Sequence, residues 1–321
     1  MIPALPQAEQ LAPAETPFQQ IWRAFRKDRL AMAGLYVLTV LIVLALLGKV
    51  LTEWWVVFDP SIVRLPDKLR PPLSAPSPAL LREQIPTWGI YLFGTDELGR
   101  NVFARMLQGS FVSLSVGFVA VSISLVIGVT LGGLAGFYGQ RKWGPFGIDG
   151  LIMRFTDVVL CFPTFFLILT VVALLPPSIY NIMAVIGMTS WMGTARFVRA
   201  EFLSLRERDF VTAAHALGLP EWRIIFRHMV PNALSPVLVS ASIDVAYAIL
   251  TESALSFLGF GVRPPFATWG NILADGRTFI FDAPWLFAIP GTAILIVVLA
   301  FNLVGEGLRD AMNPKLRKRA S

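Results

Sequence analysis

Charged residues are scarce in this chain. Of its 321 residues, 15% are Asp, Glu, Lys or Arg, where a soluble domain carries about 25%. The deficit excludes an ordinary water-facing fold, and a hydrophobic content of 55% with a mean hydropathy of +0.65 points to a membrane protein. Cysteine is almost missing. The single Cys161 permits no intrachain disulfide and, lying in an apolar run, is expected to be a small packed side chain. The only histidines, His215 and His228, lie in one polar stretch and are too few for a metal cluster. No His-Glu-x-x-His helix is present, and no Gly-x-x-x-x-Gly-Lys-Ser/Thr loop that could cradle nucleotide phosphates. No serine sits in a nucleophile elbow. The chain therefore reads as a non-enzyme with no cofactor or metal of its own. Its net charge of +6 does not imply nucleic acid, because the basic residues gather beside apolar runs, the pattern that orients membrane proteins.

What the sequence has instead is apolar runs of span length. Residues 1–29 read as a cytoplasmic segment, Pro/Ala-rich and without expected order up to Gln20, then basic through Arg23, Arg26, Lys27 and Arg29. Residues 30–50 are long enough for one crossing, and no cleavage site follows closely, so the run reads as an uncleaved anchor. Residues 51–105 form an extracytoplasmic segment whose many prolines exclude a long helix, with Trp54, Trp55 and Trp88 suited to the headgroup layer. Residues 106–308 form a core with five further spans, at about 108–138, 155–175, 179–196, 232–258 and 284–305. Pro163 should kink the span at 155–175, and Asp157 can pair with Arg154 one turn earlier. The stretch from Gly259 to Ala283 reads as an outer loop. Residues 309–321 are a basic cytoplasmic tail with Lys315, Arg317, Lys318 and Arg319. The fold class is an all-α polytopic membrane protein of six spans with both termini inside.

One polar, strongly basic stretch organises the rest. Residues 201–231 lie between spans and must sit outside the hydrocarbon. Phe210, Ala213, Ala214 and Leu217 fall on one face of a short helix. Gly218 suits the left-handed position that closes it. Pro220 suits the first position of a second helix, with Glu221 in its first turn. Trp222, Ile225, Phe226 and Met229 make a second apolar stripe beside Arg223 and Arg227, and Pro231 stops or kinks the helix. Such a loop either rests on anionic headgroups or docks a cytosolic partner, whose surface the small residues Ala213, Ala214 and Gly218 would let come close.

Three further features carry candidate roles. Asp244 and Glu252 are acids within a predicted span, and an ionisable group at that depth is a functional hypothesis by default. Eight residues apart, they could share one broad helix face toward a water-filled path. Glu252, near the outer end, reads more simply as an acid bonded to Thr251, Ser253 or a neighbouring helix. Gly128, Gly132 and Gly136 repeat every fourth residue, a signal for close helix packing in lipid. Near the outer surface, Thr95 or Asp96 is suited to cap the next helix.

These motifs bear a family resemblance. Ala213-Ala214, Gly218 and His228-Met229-Val230-Pro231 resemble the "EAA" loop of permease subunits of bacterial ABC importers, with Thr212 where that family usually has an acid. Phe93 to Arg105, reading FGTDELGRNVFAR, is similar to the GTD-x-x-GRD-x-x-x-R segment of the peptide/nickel branch, Asn101 replacing Asp. Arg196 to Glu201, Leu255 to Pro265 with Trp269-Gly270, and Phe301 to Asp310 resemble three more of its motifs in the right order. The N-terminal basic segment and first span resemble the "C" subunit of the permease pair. The resemblance implies a type I ABC importer permease fold in the bacterial inner membrane. It also implies a homologous second permease, two cytosolic ATPases holding ATP and Mg, and an extracytoplasmic substrate-binding protein. The coupling residues would be Ala213, Ala214, Leu217, Gly218, Arg223, Arg227, His228 and Pro231. Peptide is the expected cargo, with nickel, glutathione or glycosides as alternatives.

Two rival classes fit the same composition. An ion-coupled secondary transporter would use Asp244 and Glu252, and would be expected to show an internal repeat, which is not seen. A membrane scaffold would leave no transport phenotype when deleted.

Overall fold

The computed structural model describes residues 17–139, 142–143, 146–262 and 265–312. The Pro/Ala-rich start, Arg141, Arg263, Pro264 and the tail lysines and arginines from Lys315 onward lie outside these residues.

The chain opens on α1 (Pro17–Lys27) and α2 (Arg29–Lys49). Residues 17–20, expected to lack order, are helical because α1 is amphipathic. Its Phe25 is buried, and a Cβ on Gly307 would overlap Ala31 and come within 3.2 Å of the Phe25 ring. Asp28 separates the two helices, its Oδ1 accepting from Leu30 N at 2.9 Å and Ala31 N at 3.2 Å, a cap that satisfies two free donors. A π-helical turn, Val50–Trp54, carries α2 past its expected end.

As the prolines require, the outer segment forms no long helix. It is nonetheless well packed. Asp67 is fully buried and accepts from Tyr91 Oη at 2.6 Å and from Ser77 N at 2.9 Å. Burial first, and then the bond to Asp67, push the Tyr91 phenol up from its usual range. Phe58, Trp88, Phe93 and Phe103 pack as an aromatic cluster beneath.

The next helix, α3 (Val102–Tyr138), has 37 residues and is about 55 Å long, so it extends beyond a hydrocarbon core of about 30 Å. Its cap is Asn101, whose Oδ1 accepts from Phe103 N at 3.0 Å. Thr95 and Asp96, the expected caps, are buried in other bonds. A two-stranded hairpin, β1 (Lys142–Trp143) with β2 (Phe146–Gly147), leads to α4 (Ile148–Leu160) and α5 (Thr164–Leu174). These two meet at 80°. The expected kink is thus a complete break, with Pro163 lacking the N–H needed to continue α4 and standing at the start of α5. Cys161 lies at the break and is exposed, not packed.

In α6 (Ile179–Arg206) the helix runs on through Arg196 and Arg199, ten residues beyond its expected end at 196. Small residues let it lie backbone to backbone with α3. A Cβ on Gly128 would stand 2.7 Å from Thr194 Cβ, one on Gly132 would collide with the Ala195 carbonyl oxygen, and one on Gly136 would stand 2.5 Å from Phe202 Cβ. Asp157 of α4 receives Arg196, and Asp149 receives Arg199, tying α4 to α6.

The inner stretch holds α7 (Asp209–Ala216), α8 (Glu221–Arg223) and a π-helical turn, Ile224–Met229, which continues into α9 (Val230–Phe257). Pro231 therefore neither stops nor sharply bends the helix. The wider turn before it absorbs the missing donor. The expected outer loop contains a short helix, α10 (Trp269–Gly276), started by a reciprocal cap between Thr268 and Asn271 and packed on α9. The last element is α11 (Trp285–Met312).

Among the described residues four helices are long and apolar enough to cross a membrane, and the bent α4–α5 pair makes a fifth candidate. The chain is a mostly helical, multi-pass membrane protein. The expected count of six included α6, which is not apolar enough by composition, its residues 179–196 carrying Asn181, Thr189, Ser190, Thr194 and Arg196.

Candidate functional site

The inner loop is fastened to the spans on one side and open on the other. Val211, Ala214, Ile224 and Met229 are buried against Phe202 and Phe137. Tyr138 donates to Glu221 Oε2 at 3.0 Å, and Arg206 Nη1 donates to the Phe137 carbonyl at 3.4 Å. The outward side exposes Phe210 (41%), Leu217 (80%), Trp222 (60%) and Phe226 (69%), with Arg223 over the Trp222 ring and Arg227 nearby.

This partition corrects the two expected stripes. Ala214 turns inward while Phe210, Ala213 and Leu217 turn outward. The small-residue surface is therefore Ala213 and Gly218 without Ala214. In the second stripe Met229 is buried and Trp222 and Phe226 are not, because the π turn changes the angular step and separates residues that ideal helical spacing would align. Gly218 has φ +72°. Leu219 N donates to Ala214 O at 3.1 Å and Gly218 N to His215 O at 2.9 Å, the paired bonds of a left-handed helix stop. Nothing lies within 4 Å of a Cβ on Gly218, so the glycine answers a backbone need and not a lack of room. Pro220 stands one place before the second helix, with Glu221 its first residue. His215 stacks on Phe137, and the His228 carbonyl accepts from Asn232 Nδ2 at 2.6 Å.

The two acids of α9 are separated by the fold. Asp244 is half-buried and lines a cavity of about 210 Å³ between α3, α6, α9 and the α4–α5 break. It makes no hydrogen bond or ion pair among the described residues. Ser190 Oγ, on the α6 wall of the same cavity, is buried and has no partner among the described residues. Glu252 lies elsewhere, fully buried where α9 meets α3 and α10, its Oε1 accepting from Ser256 Oγ at 2.7 Å. Thr251 bonds instead to the Tyr247 carbonyl at 2.8 Å. The two acids do not share one path-lining face.

Sequence reasoning missed a charge cluster between residues 96–105 and α10. Asp96 is fully buried and accepts from Arg100 Nε at 2.6 Å and Arg105 Nη1 at 2.7 Å. Asp275 of α10 accepts from Arg105 at 2.8 Å. Gly99, at φ +71°, leaves its side-chain space to the Arg64 carbonyl. The signal available was Arg105 itself, a charge placed directly before a stretch with none. Its partner 170 positions away was not readable.

Comparison with known proteins adds the following. Residues 128–318 match the model of the binding-protein-dependent transport system inner membrane component family, and residues 16–72 match that of the N-terminal TM domain of oligopeptide transport permease C. The chain is 38% identical to a dipeptide transport system permease protein of Alkalihalophilus pseudofirmus, over 98% of this chain and 95% of that one. It is 34% identical to an oligopeptide transport system permease protein of Bacillus subtilis, over 92% and 88%. An inward-facing structure of the MetNI methionine ABC transporter shares the fold, with a TM-score of 0.50 and 18% identity over 66% of this chain and 98% of that one.

Proposed function

The chain belongs to the binding-protein-dependent transport system inner membrane components, and from that premise we infer that it forms half of a peptide-conducting pore levered from the cytosol. It is a permease subunit of an ABC importer and not an enzyme; ATP hydrolysis falls to partner subunits. In the proposed assembly it pairs with a homologous second permease in the bacterial inner membrane. Two cytosolic ATPases, holding ATP and Mg, dock beneath, and an extracytoplasmic binding protein delivers a di- or oligopeptide. The crossings are α2, α3, the α4–α5 pair, α6, α9 and α11, with both termini cytoplasmic. Residues 1–29 and 309–321 then lie inside and 51–105 outside.

The observation that carries this reading is the two-sided inner loop. Its apolar residues Leu217, Trp222 and Phe226 face outward beside Arg223 and Arg227, while its other face is locked to α3 and α6. A monomer gains nothing by exposing such a surface, and a partner covering it gains apolar burial. Ala213 and Gly218 allow that partner close approach, and His228 and Pro231 join the loop to α9. When the ATPases close on ATP, the loop moves with them and α9 and α6 follow. Substrate and nucleotide drive the switch only by favouring one state over the other. Asp244 is proposed to line the path. Glu252 is proposed to hold α9 against α10.

The test is co-purification and uptake. Leu217→Asp with Phe226→Asp should leave the permease pair in the membrane but release the ATPases and abolish peptide uptake. Retention of both would overturn the docking assignment.

A further inference from the structure

We propose that the cavity at Asp244 is a subsite for a primary ammonium group, the free amino end of the transported peptide; this rests on the peptide-permease reading above. The argument starts from what the cavity lacks. Asp244 is the only charged residue lining it and has neither cation nor donor among the described residues. A carboxylate in low-dielectric surroundings is costly unless it is paired. On the α6 wall, Ser190 Oγ is buried and also without a partner among the described residues. Tyr247 lines the same space, with Ser124 and Thr164. One carboxylate, an idle hydroxyl and an aromatic side chain form the set that holds an ammonium, which needs acceptors and favours a π face. An anion would be repelled, and a carboxyl end would find no cation here.

The cavity, at about 210 Å³, takes one end of an oligopeptide and not the whole of it. Length and sequence would then matter little, while an unblocked amine would matter much. Its wall includes Leu160 and Thr164 on either side of the α4–α5 break, so an occupant touches both arms of the bend.

The experiment uses the assembled transporter in proteoliposomes. Cys161→Ser removes this chain's one native thiol, and Ser190→Cys then places a thiol on the cavity wall with Asp244 in place, labelling being read on this chain alone. The thiol is reacted with 2-aminoethyl and with 2-sulfonatoethyl methanethiosulfonate, each rate normalised to that with a free thiol. A cleft with one uncompensated charge enriches the opposite ion about tenfold or more, so the ammonium reagent should lead by that factor. Asp244→Asn should erase the lead. A lysine-free dipeptide should slow the labelling, and its N-acetylated form should not. Slowing by an N-acetylated lysine peptide would extend the site to side-chain ammonium groups. Equal rates for the two reagents, no reaction with either, or equal protection by free and acetylated lysine-free peptides would overturn the proposal. Peptide uptake by the Cys161→Ser complex reads the premise separately. Uptake without cation preference sinks only the subsite, whereas no uptake of any peptide sinks the peptide-cargo reading on which it rests.

Discussion

The two non-membrane faces of this molecule solve opposite problems. On the inner side, residues 209–229 turn Leu217, Trp222 and Phe226 out to solvent and keep their own core small. On the outer side, residues 51–105 and α10 turn Asp67, Asp96 and Arg105 inward, and each finds a partner within the chain. The 51–105 segment holds its buried charges in bonds within the chain, although it too exposes apolar side chains, Leu65, Leu73 and Leu81 among them. The 209–229 loop buries no charge and rests its exposed apolar residues on a small core. Buried charge with its bonds made fixes a conformation, whereas exposed apolar area on a loop without such a network marks an interface still to be filled. The contrast separates a region built to stay put from one built to be gripped.

That contrast can be broken in order of expected cost. Asp96→Ala leaves buried Arg100 and Arg105 to share Asp275, which is partly exposed, and should cost about 3 kcal/mol, read as a fall in thermal stability of the purified complex and in membrane abundance. Gly132→Val pushes α3 off the Ala195 carbonyl of α6 and should cost about 1–3 kcal/mol, with the loss appearing in the melting of the core. Gly218→Ala forces a left-handed residue to carry a Cβ, at about 1 kcal/mol, and should loosen the inner loop to proteolysis without touching the outer segment. Leu217→Asp should change stability by less than about 0.5 kcal/mol while weakening ATPase attachment most among single substitutions there. If Leu217→Asp instead unfolds the protein, or Asp96→Ala is silent, the contrast is wrong. It can also be sharpened with pH. The Tyr91 phenol is raised in the folded state, so its contribution is complete below about pH 10, where the unfolded phenol begins to ionise, and is lost as pH climbs toward the folded value. Tyr91→Phe should remove that alkaline step from the outer segment.

Much of this was legible from local rules. Gly218 announced its left-handed stop, the prolines of the outer segment excluded a helix, and Gly128, Gly132 and Gly136 marked a close approach whose partner, α6, the sequence did not name. What escaped depends on pairing across distance or on a change of helical step. The bond from Arg105 to Asp275 joins segments that no period connects. The outward turn of Phe210 and Trp222 follows from how the loop seats on Phe137 and Phe202 and from the π turn, neither of which a spacing rule contains. The complete break at residues 161–163 was underestimated because a proline within a span more often bends a helix than ends it. The helix α10 was hidden in a stretch rich in loop-forming residues, where only the cap of Thr268 with Asn271 hinted at it.

One consequence follows from the continuity of the helix from Glu221 to Phe257, 37 residues without a gap. The π turn at Ile224–Met229 and the prolines Pro231 and Pro236 lie between Trp222 and Asp244, so a push on the loop reaches Asp244 as thrust along an unbroken helix more than as a fixed turn. Lengthening the shaft by a single alanine between the two would swing everything beyond it by about 100°, and would leave the crank attached to the wrong side of the wheel.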